Sequence, residues 1–253
     1  MVQVSDLWTL PPQDLNLLSN QVHIWRIPLD QPQSVLKLLE ATLSEDEVQR
    51  ADRFYFDTDR NRFIVARGCL RNILGRYLKV DPADLKFRYT EYGKPDLIDR
   101  INPAGLRFNV SHSRDLALIA VTVNQDVGVD IEYIRDDLAD DQVARRYFSK
   151  DESAAYLSLP KSMRTKAFFA IWTRKESYIK ARGEGLSLPL NQFDVSIMPE
   201  VREVELTTRP DPDEAFQWII RTINPGEGYM AAITVKAHKL QLKYWKWLDD
   251  MVE

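Results

Sequence analysis

One arrangement occurs twice in this chain. In "LSEDE", Leu43 to Glu47, a serine stands three residues before a glutamate; in "FSKDE", Phe148 to Glu152, the same pairing returns 105 residues later. Each is a capping box, in which serine and glutamate side chains satisfy the free amides of a helix start. A strand-like run precedes each box; a longer helical pattern and several strand-like runs follow it. Recurrence of that order predicts an α+β fold of two similar halves in a pseudo-twofold arrangement. The division falls near Asn124 to Asp126, giving halves 1–123 and 124–253, and a cleft between halves is a natural ligand site.

The elements follow from local pattern. "VHIWRIPL" (Val22 to Leu29) reads as a strand. A long helix is predicted from about Thr58 to Lys79, with Phe63, Ala66, Leu70, Ile73, Leu74 and Tyr77 as its apolar stripe, and Asp81-Pro82 ends it. "LKFRY" is a strand, "EYGKPD" a reversal supplied by Gly93 and Pro95, and "LRFNVS" and "LALIAVTV" are strands joined by "HSRD". "VGVDIEYI" is another strand. Helices return at "FSKDESAAYL" and through "WTRKESYIK"; Gly183 and Gly185 then allow a sharp turn. "FDVSI", "QWIIRTI", "YMAAITV" and "LQLKYWKWL" close the chain as strands, the last an aromatic-rich edge strand.

Composition narrows the function. The formal charge of −4 argues against a general polyanion binder such as a nucleic-acid protein. Seven arginines against three aspartates between Arg50 and Arg76 make a local cationic region, which reads either as a solvated helix face or as an anion-facing one. The single cysteine, Cys69, permits no intrachain disulfide and no cysteine metal cluster, and its apolar setting marks it as core. Asp6, Pro11 and Pro12 interrupt the N-terminal segment, no basic-then-apolar leader is seen, and no apolar run reaches a membrane span. The expected address is the cytoplasm.

Two stretches carry chemistry. In "VGVDIEYI", Val127, Val129, Ile131 and Tyr133 share one strand face and Gly128, Asp130 and Glu132 the other, so the two carboxylates can converge on one ion. Gly128 is expected to leave room for a ligand beside them. The same alternation also describes a strand with one wet face. In "WTRKESYIK", Glu176 and Lys180 are helical neighbours at the edge of a stripe that includes Trp172 and Ile179. Alone they form a surface ion pair; joined to Asp130 and Glu132 they make three acids and an amine. Such a set suits Mg²⁺ bound to phosphate oxygens, with the lysine at the leaving group.

"EYGKP", "FNVSHS", "GVDIE", "WTRKESYIK" and "GEGLSLPL", in this order along the chain, resemble the motifs of 4'-phosphopantetheinyl transferases. The likeness runs from about Leu43 to Leu190 and is greatest to the Sfp-type branch, whose single chain contains two similar halves. The resemblance implies transfer of the phosphopantetheine arm of coenzyme A to a carrier-protein serine, with Mg²⁺ as cofactor and release of 3',5'-ADP. It implies that Asp130, Glu132 and Glu176 hold the metal against the pyrophosphate. Glu176, or a water it orients, takes the serine proton, and Lys180 steadies the pyrophosphate and protonates the departing phosphate. Lys94, Ser111 and His112 match positions that grip the adenosine 3'-phosphate; Arg50 matches a further basic position, with Arg53 beside it. The N-terminal half then supplies the 3'-phosphate contacts, and the C-terminal half the metal site and catalytic helix. The partners implied are acyl, peptidyl or aryl carrier domains, met by a monomer through local basic surface.

Two other classes fit parts of the pattern. A metal-dependent nuclease places its glutamate and lysine two apart on a strand, whereas here they stand four apart in a helical context. A coenzyme A or carrier-binding module without chemistry has no need of all three acids and the lysine, and all four are present.

Overall fold

The computed structural model describes residues 7–252, apart from the side chains of Leu186 and Asp250. Asp6 therefore lies outside the described residues. The first part of the chain runs β1 (Gln21–Pro28), α1 (Gln33–Ala41), α2 (Glu45–Ala51), α3 (Asp57–Leu78), β2 (Phe87–Tyr89), β3 (Pro95–Leu97), β4 (Leu106–Ser113) and β5 (Leu116–Val123). The second runs β6 (Val127–Tyr133), α4 (Asp141–Tyr147), α5 (Lys150–Ser158), α6 (Lys161–Arg182), β7 (Phe193–Val195), β8 (Glu203–Val204), β9 (Leu206–Thr208), β10 (Trp218–Ile223), β11 (Tyr229–Lys236) and β12 (Gln241–Lys246). Two four-stranded sheets organise the molecule, in the orders β12-β1-β5-β4 and β6-β11-β10-β8.

Apolar alternation on the central strands builds the layers. Val22 and Ile24 of β1, with Leu118 and Ala120 of β5, meet Val127, Val129 and Ile131 of β6 and Ala231, Ile233 and Val235 of β11 in one buried cluster. The other face of the first sheet, with Trp25, Ile27, Ala117, Ile119 and Val121, packs beneath α1 and α3. The helix α6 covers the second sheet through Phe168, Ile171, Tyr178 and Ile179. Alternate residues of a strand thus face opposite cores, as the pleat requires.

Both capping boxes form. The Ser44 amide donates to Glu47 Oε2 at 3.0 Å, and the Ser149 amide donates to Glu152 Oε2 at 2.9 Å. Both glutamates are also buried and clamp a cation of the long helix that follows. Arg71 Nε donates to Glu47 Oε2 at 2.6 Å, with Arg67 on the other oxygen, and Lys175 Nζ donates to Glu152 Oε2 at 2.7 Å. Cys69 is buried, as its apolar surroundings predict.

The structure departs from the local reading in several places, among them the short strands β8 and β9. The helices α1 and α4 were not expected: α1 has a proline rather than a capping side chain at its start, and α4 is a two-turn helix on Asp140. Pro95 opens strand β3 instead of lying wholly within a turn, a position where its missing amide costs nothing. The strand β12 is an edge strand as expected, but it joins the first sheet, parallel to β1, and so crosses the division drawn at residue 124. A parallel partner more than 200 residues away leaves no local signal. Finally, α6 buries polar as well as apolar positions, among them Thr173, Arg174, Lys175 and Ser177.

Candidate active site

The site lies where the free edges of the two sheets meet. β4 ends the first sheet and β6 ends the second, and no backbone ladder joins them. The outward amides of β6 are met instead by side chains of β4. Val129 N donates to Asn109 Oδ1 at 2.9 Å, Ile131 N to Ser111 Oγ at 3.4 Å, and Tyr133 N to Ser113 Oγ at 3.1 Å. Each such amide, left unpaired in a buried seam, costs about 1–3 kcal/mol.

The same hydroxyls bind the two acids of β6. Ser111 Oγ donates to Asp130 Oδ1 at 2.9 Å, and Ser113 Oγ donates to Glu132 Oε2 at 2.9 Å. From α6, Lys180 Nζ reaches Asp130 Oδ1 at 2.6 Å and Ser111 Oγ at 2.9 Å. Asp130 is only 3% exposed, and its Oδ2 is buried without a hydrogen-bond partner. Glu176, one turn before Lys180, faces the same acids. Burial pushes its carboxyl above the ordinary value, the Asp130 charge pushes further and Glu132 adds to it, while Lys180 pulls down. Glu132 is raised likewise, first by burial and then by Asp130, against the hydrogen bond from Ser113.

Gly128 is what permits this approach. An added Cβ would stand 2.1 Å from the Ser177 carbonyl oxygen and 2.3 Å from the Ala181 amide nitrogen. The expectation that its bare backbone leaves room for a ligand is therefore corrected: the space is filled by α6 itself. Glycine here lets helix and strand backbones touch, which carries Lys180 to Asp130. At the helix end Gly183 takes φ 73° and Gly185 φ 57°, the left-handed conformations that a sharp exit needs.

The structure thus brings Ser111, Asp130, Glu132, Glu176 and Lys180 together. Other expected residues lie differently. Lys94 directs its ammonium to the carbonyls of Lys180 at 2.7 Å and Val127 at 3.1 Å, tying the last turn of α6 to the start of β6. Burial lowers its pKa to about 8. Beside it a cavity of about 190 Å³ is lined by Thr90, Arg107, Asp126, Arg182 and Gly183. His112, on the other face of β4 from Ser111, is exposed. Desolvation of the ring lowers its pKa, and the charges of Lys180 and Arg62 lower it further.

Arg50 and Arg53 line a different cavity, about 620 Å³, with Gln49, Phe54 and Tyr89; the Arg50 guanidinium lies 5.3 Å from the Phe63 ring centroid. The remaining arginines of the cationic stretch are held structurally. Arg60 pairs with Glu40 and Asp52, Arg62 with Asp115, Arg67 and Arg71 with Glu47, and Arg76 donates to the Pro12 carbonyl.

Sequence reasoning missed Asn109 and Ser113, although both alternate with Ser111 in "FNVSHS" and period two would have placed them on its face. It also missed Arg174 and Lys175. The Arg174 guanidinium donates to the carbonyls of Ser196, Met198 and Val201, and Lys175 to those of Leu190 and Phe193. Two cations inside "WTRKESYIK" therefore fasten the helix to the loops after it.

Among the described residues, no three His, Cys, Asp or Glu side chains form a ready-made metal cluster. The donor chemistry nonetheless suits a hard divalent cation. Three carboxyl groups share one desolvated region, two of them hold their protons more tightly because of it, and Asp130 Oδ2 is an orphaned buried oxygen.

These features make a candidate site at the seam of an α+β scaffold, and comparison with known proteins gives the chain a family. Residues 126–234 match the family model described as the 4'-phosphopantetheinyl transferase superfamily, and residues 29–124 match that of the 4'-phosphopantetheinyl transferase N-terminal region. The chain is 43% identical over 238 residues to 4'-phosphopantetheinyl transferase HetI of Nostoc sp., covering 94% of this chain and 97% of that one. It is 32% identical over 213 residues to 4'-phosphopantetheinyl transferase Sfp of Bacillus subtilis, covering 83% and 90%. A solved structure, holo-[acyl-carrier-protein] synthase of Thermotoga maritima, aligns at 17% identity over 44% of this chain and 61% of that one, with a TM-score of 0.34, too distant to bear on the reading. The chain belongs to the 4'-phosphopantetheinyl transferase superfamily.

Proposed function

We propose that this protein transfers the 4'-phosphopantetheine arm of coenzyme A to a serine of an acyl, peptidyl or aryl carrier domain, with Mg²⁺, releasing 3',5'-ADP. The observation that carries the reading is the meeting of Asp130, Glu132, Glu176 and Lys180 at the β4–β6 seam, on two stretches that the sequence had paired by motif.

In the reaction the serine oxygen forms a bond to the phosphorus that carries pantetheine. The pyrophosphate P–O bond breaks, and 3',5'-ADP departs. Asp130, Glu132 and Glu176 are the residues that would hold the cation. The cation, when bound, neutralises pyrophosphate charge and so eases phosphoryl transfer. Glu176, directly or through a water, accepts the serine proton. Lys180, hydrogen-bonded to Asp130 and Ser111, donates to the leaving phosphate. Arg50, Lys94 and His112, with Ser111, are proposed for the nucleotide end of coenzyme A.

The site draws on β4 of the first part of the chain and on β6 and α6 of the second. That supports an interface between two α+β halves in pseudo-twofold arrangement, complete within a monomer. Among the described residues no helix is long and apolar enough to cross a membrane; a cytoplasmic location, where coenzyme A is supplied, fits the reading.

The test is incubation with coenzyme A, Mg²⁺ and an apo carrier protein, followed by intact mass. The carrier should gain one phosphopantetheine arm. Glu176→Gln should lower kcat by about 10²–10⁴-fold while the protein stays folded. No mass gain with the wild type, or wild-type turnover by the variant, would overturn the mechanism.

A further inference from the structure

The reaction above gives no role to Ser113, yet its hydroxyl makes two bonds that meet at one place. It accepts from the Tyr133 amide at 3.1 Å and donates to Glu132 Oε2 at 2.9 Å. Ser111 repeats this two residues earlier, accepting from the Ile131 amide and donating to Asp130, and Asn109 begins the series at the Val129 amide. A serine hydroxyl has one proton and two lone pairs. At Ser113 the amide occupies a lone pair, so the proton is directed at the carboxylate. The main chain of β6 thereby sets the orientation of its own acid through a residue of β4.

We propose that Ser113 is a positioning residue for Glu132, the last rung of an Asn109–Ser111–Ser113 ladder that closes the seam and aims both β6 carboxylates at the site in one step. The ladder rests on the hydrogen bonds alone; its consequence for the cation rests on the function proposed above. Groups that hold a metal ligand by hydrogen bond typically contribute about 10–100-fold in metal affinity or activity.

The experiment compares Ser113→Ala, Ser113→Thr and wild type by two readouts. The first is amide hydrogen exchange along β6, which needs no substrate. Ser113→Ala should speed exchange at Tyr133 by about tenfold, the loss of one hydrogen bond, and leave Val129 and Ile131 unchanged. The second is the Mg²⁺ concentration for half-maximal pantetheine transfer. It should rise by about tenfold or more in Ser113→Ala, with kcat at saturating Mg²⁺ changed far less. Ser113→Thr, which keeps the hydroxyl, should restore both. Faster exchange at Tyr133 with an unchanged Mg²⁺ requirement would overturn the assignment, leaving Ser113 purely structural. So would faster exchange along all of β6 without rescue by threonine. A wild type that transfers no pantetheine would overturn the proposed function, and the exchange pattern would still decide the ladder.

Discussion

α3 and α6 are each 22 residues long, each follows a capping-box helix, and each is clamped by that box's buried glutamate; only α6 borders the candidate site. Against α3, β1 presents His23, Trp25 and Ile27. His23 Nδ1 lies 2.7 Å from the Tyr77 hydroxyl, and Trp25 Nε1 donates to the same oxygen at 3.1 Å. Against α6, β6 presents Gly128, Asp130 and Glu132. The two strands also differ at their outer edges: β12 covers β1, whereas β6 is left open and meets β4 only through side chains. The difference teaches that the candidate site occupies an edge the sheet did not close, whereas β1, paired on both sides, lies within the core.

The largest expected effect tests whether the two clamps are equivalent. Lys175→Met leaves Glu152 buried without its cation and should cost about 3–5 kcal/mol in urea unfolding, whereas Arg71→Met leaves Glu47 still paired with Arg67 and should cost less. Equal losses would show that Arg67 does not share the first clamp. Next, Gly128→Ala should destabilise by about 3 kcal/mol or more, since the new methyl meets backbone that cannot step aside. If the variant melts like wild type, the close contact between β6 and α6 is wrong.

Acid should separate the halves. Burial would raise the Glu47 carboxyl, but Arg67 and Arg71 outweigh it and hold it below its ordinary 4.5. A depressed acid contributes stability that is complete above the ordinary value and lost as the pH falls through the folded one. Glu152 is raised, because burial outweighs Lys175, so its contribution grows as the pH falls. As the pH falls below 4.5, protection from hydrogen exchange should be lost in α3 before α6. The reverse order would break the contrast. The smallest effect concerns the caps: Ser44→Ala and Ser149→Ala should each cost about 1 kcal/mol. Ser149 should be the costlier, since its hydroxyl also accepts the Glu152 amide at 3.1 Å. Calorimetry on the pair decides this.

Sequence alone determined what depends on near neighbours. Both capping boxes, the long helices, the alternation of "VGVDIEYI" and the left-handed exit at Gly183 follow from side-chain preferences a few residues apart. Family motifs added which acids and which lysine belong together. The tertiary structure decided what depends on distant partners. It covered β1 with β12, gave most of the arginine cluster to ion pairs, turned Lys94 to backbone carbonyls, and filled the space at Gly128 with a helix. It also showed Asn109 and Ser113 as rungs of the seam. The reason is physical: local pattern fixes which way a residue points, but an edge strand's unpaired amides and a buried cation's partners are chosen by whatever the fold brings against them.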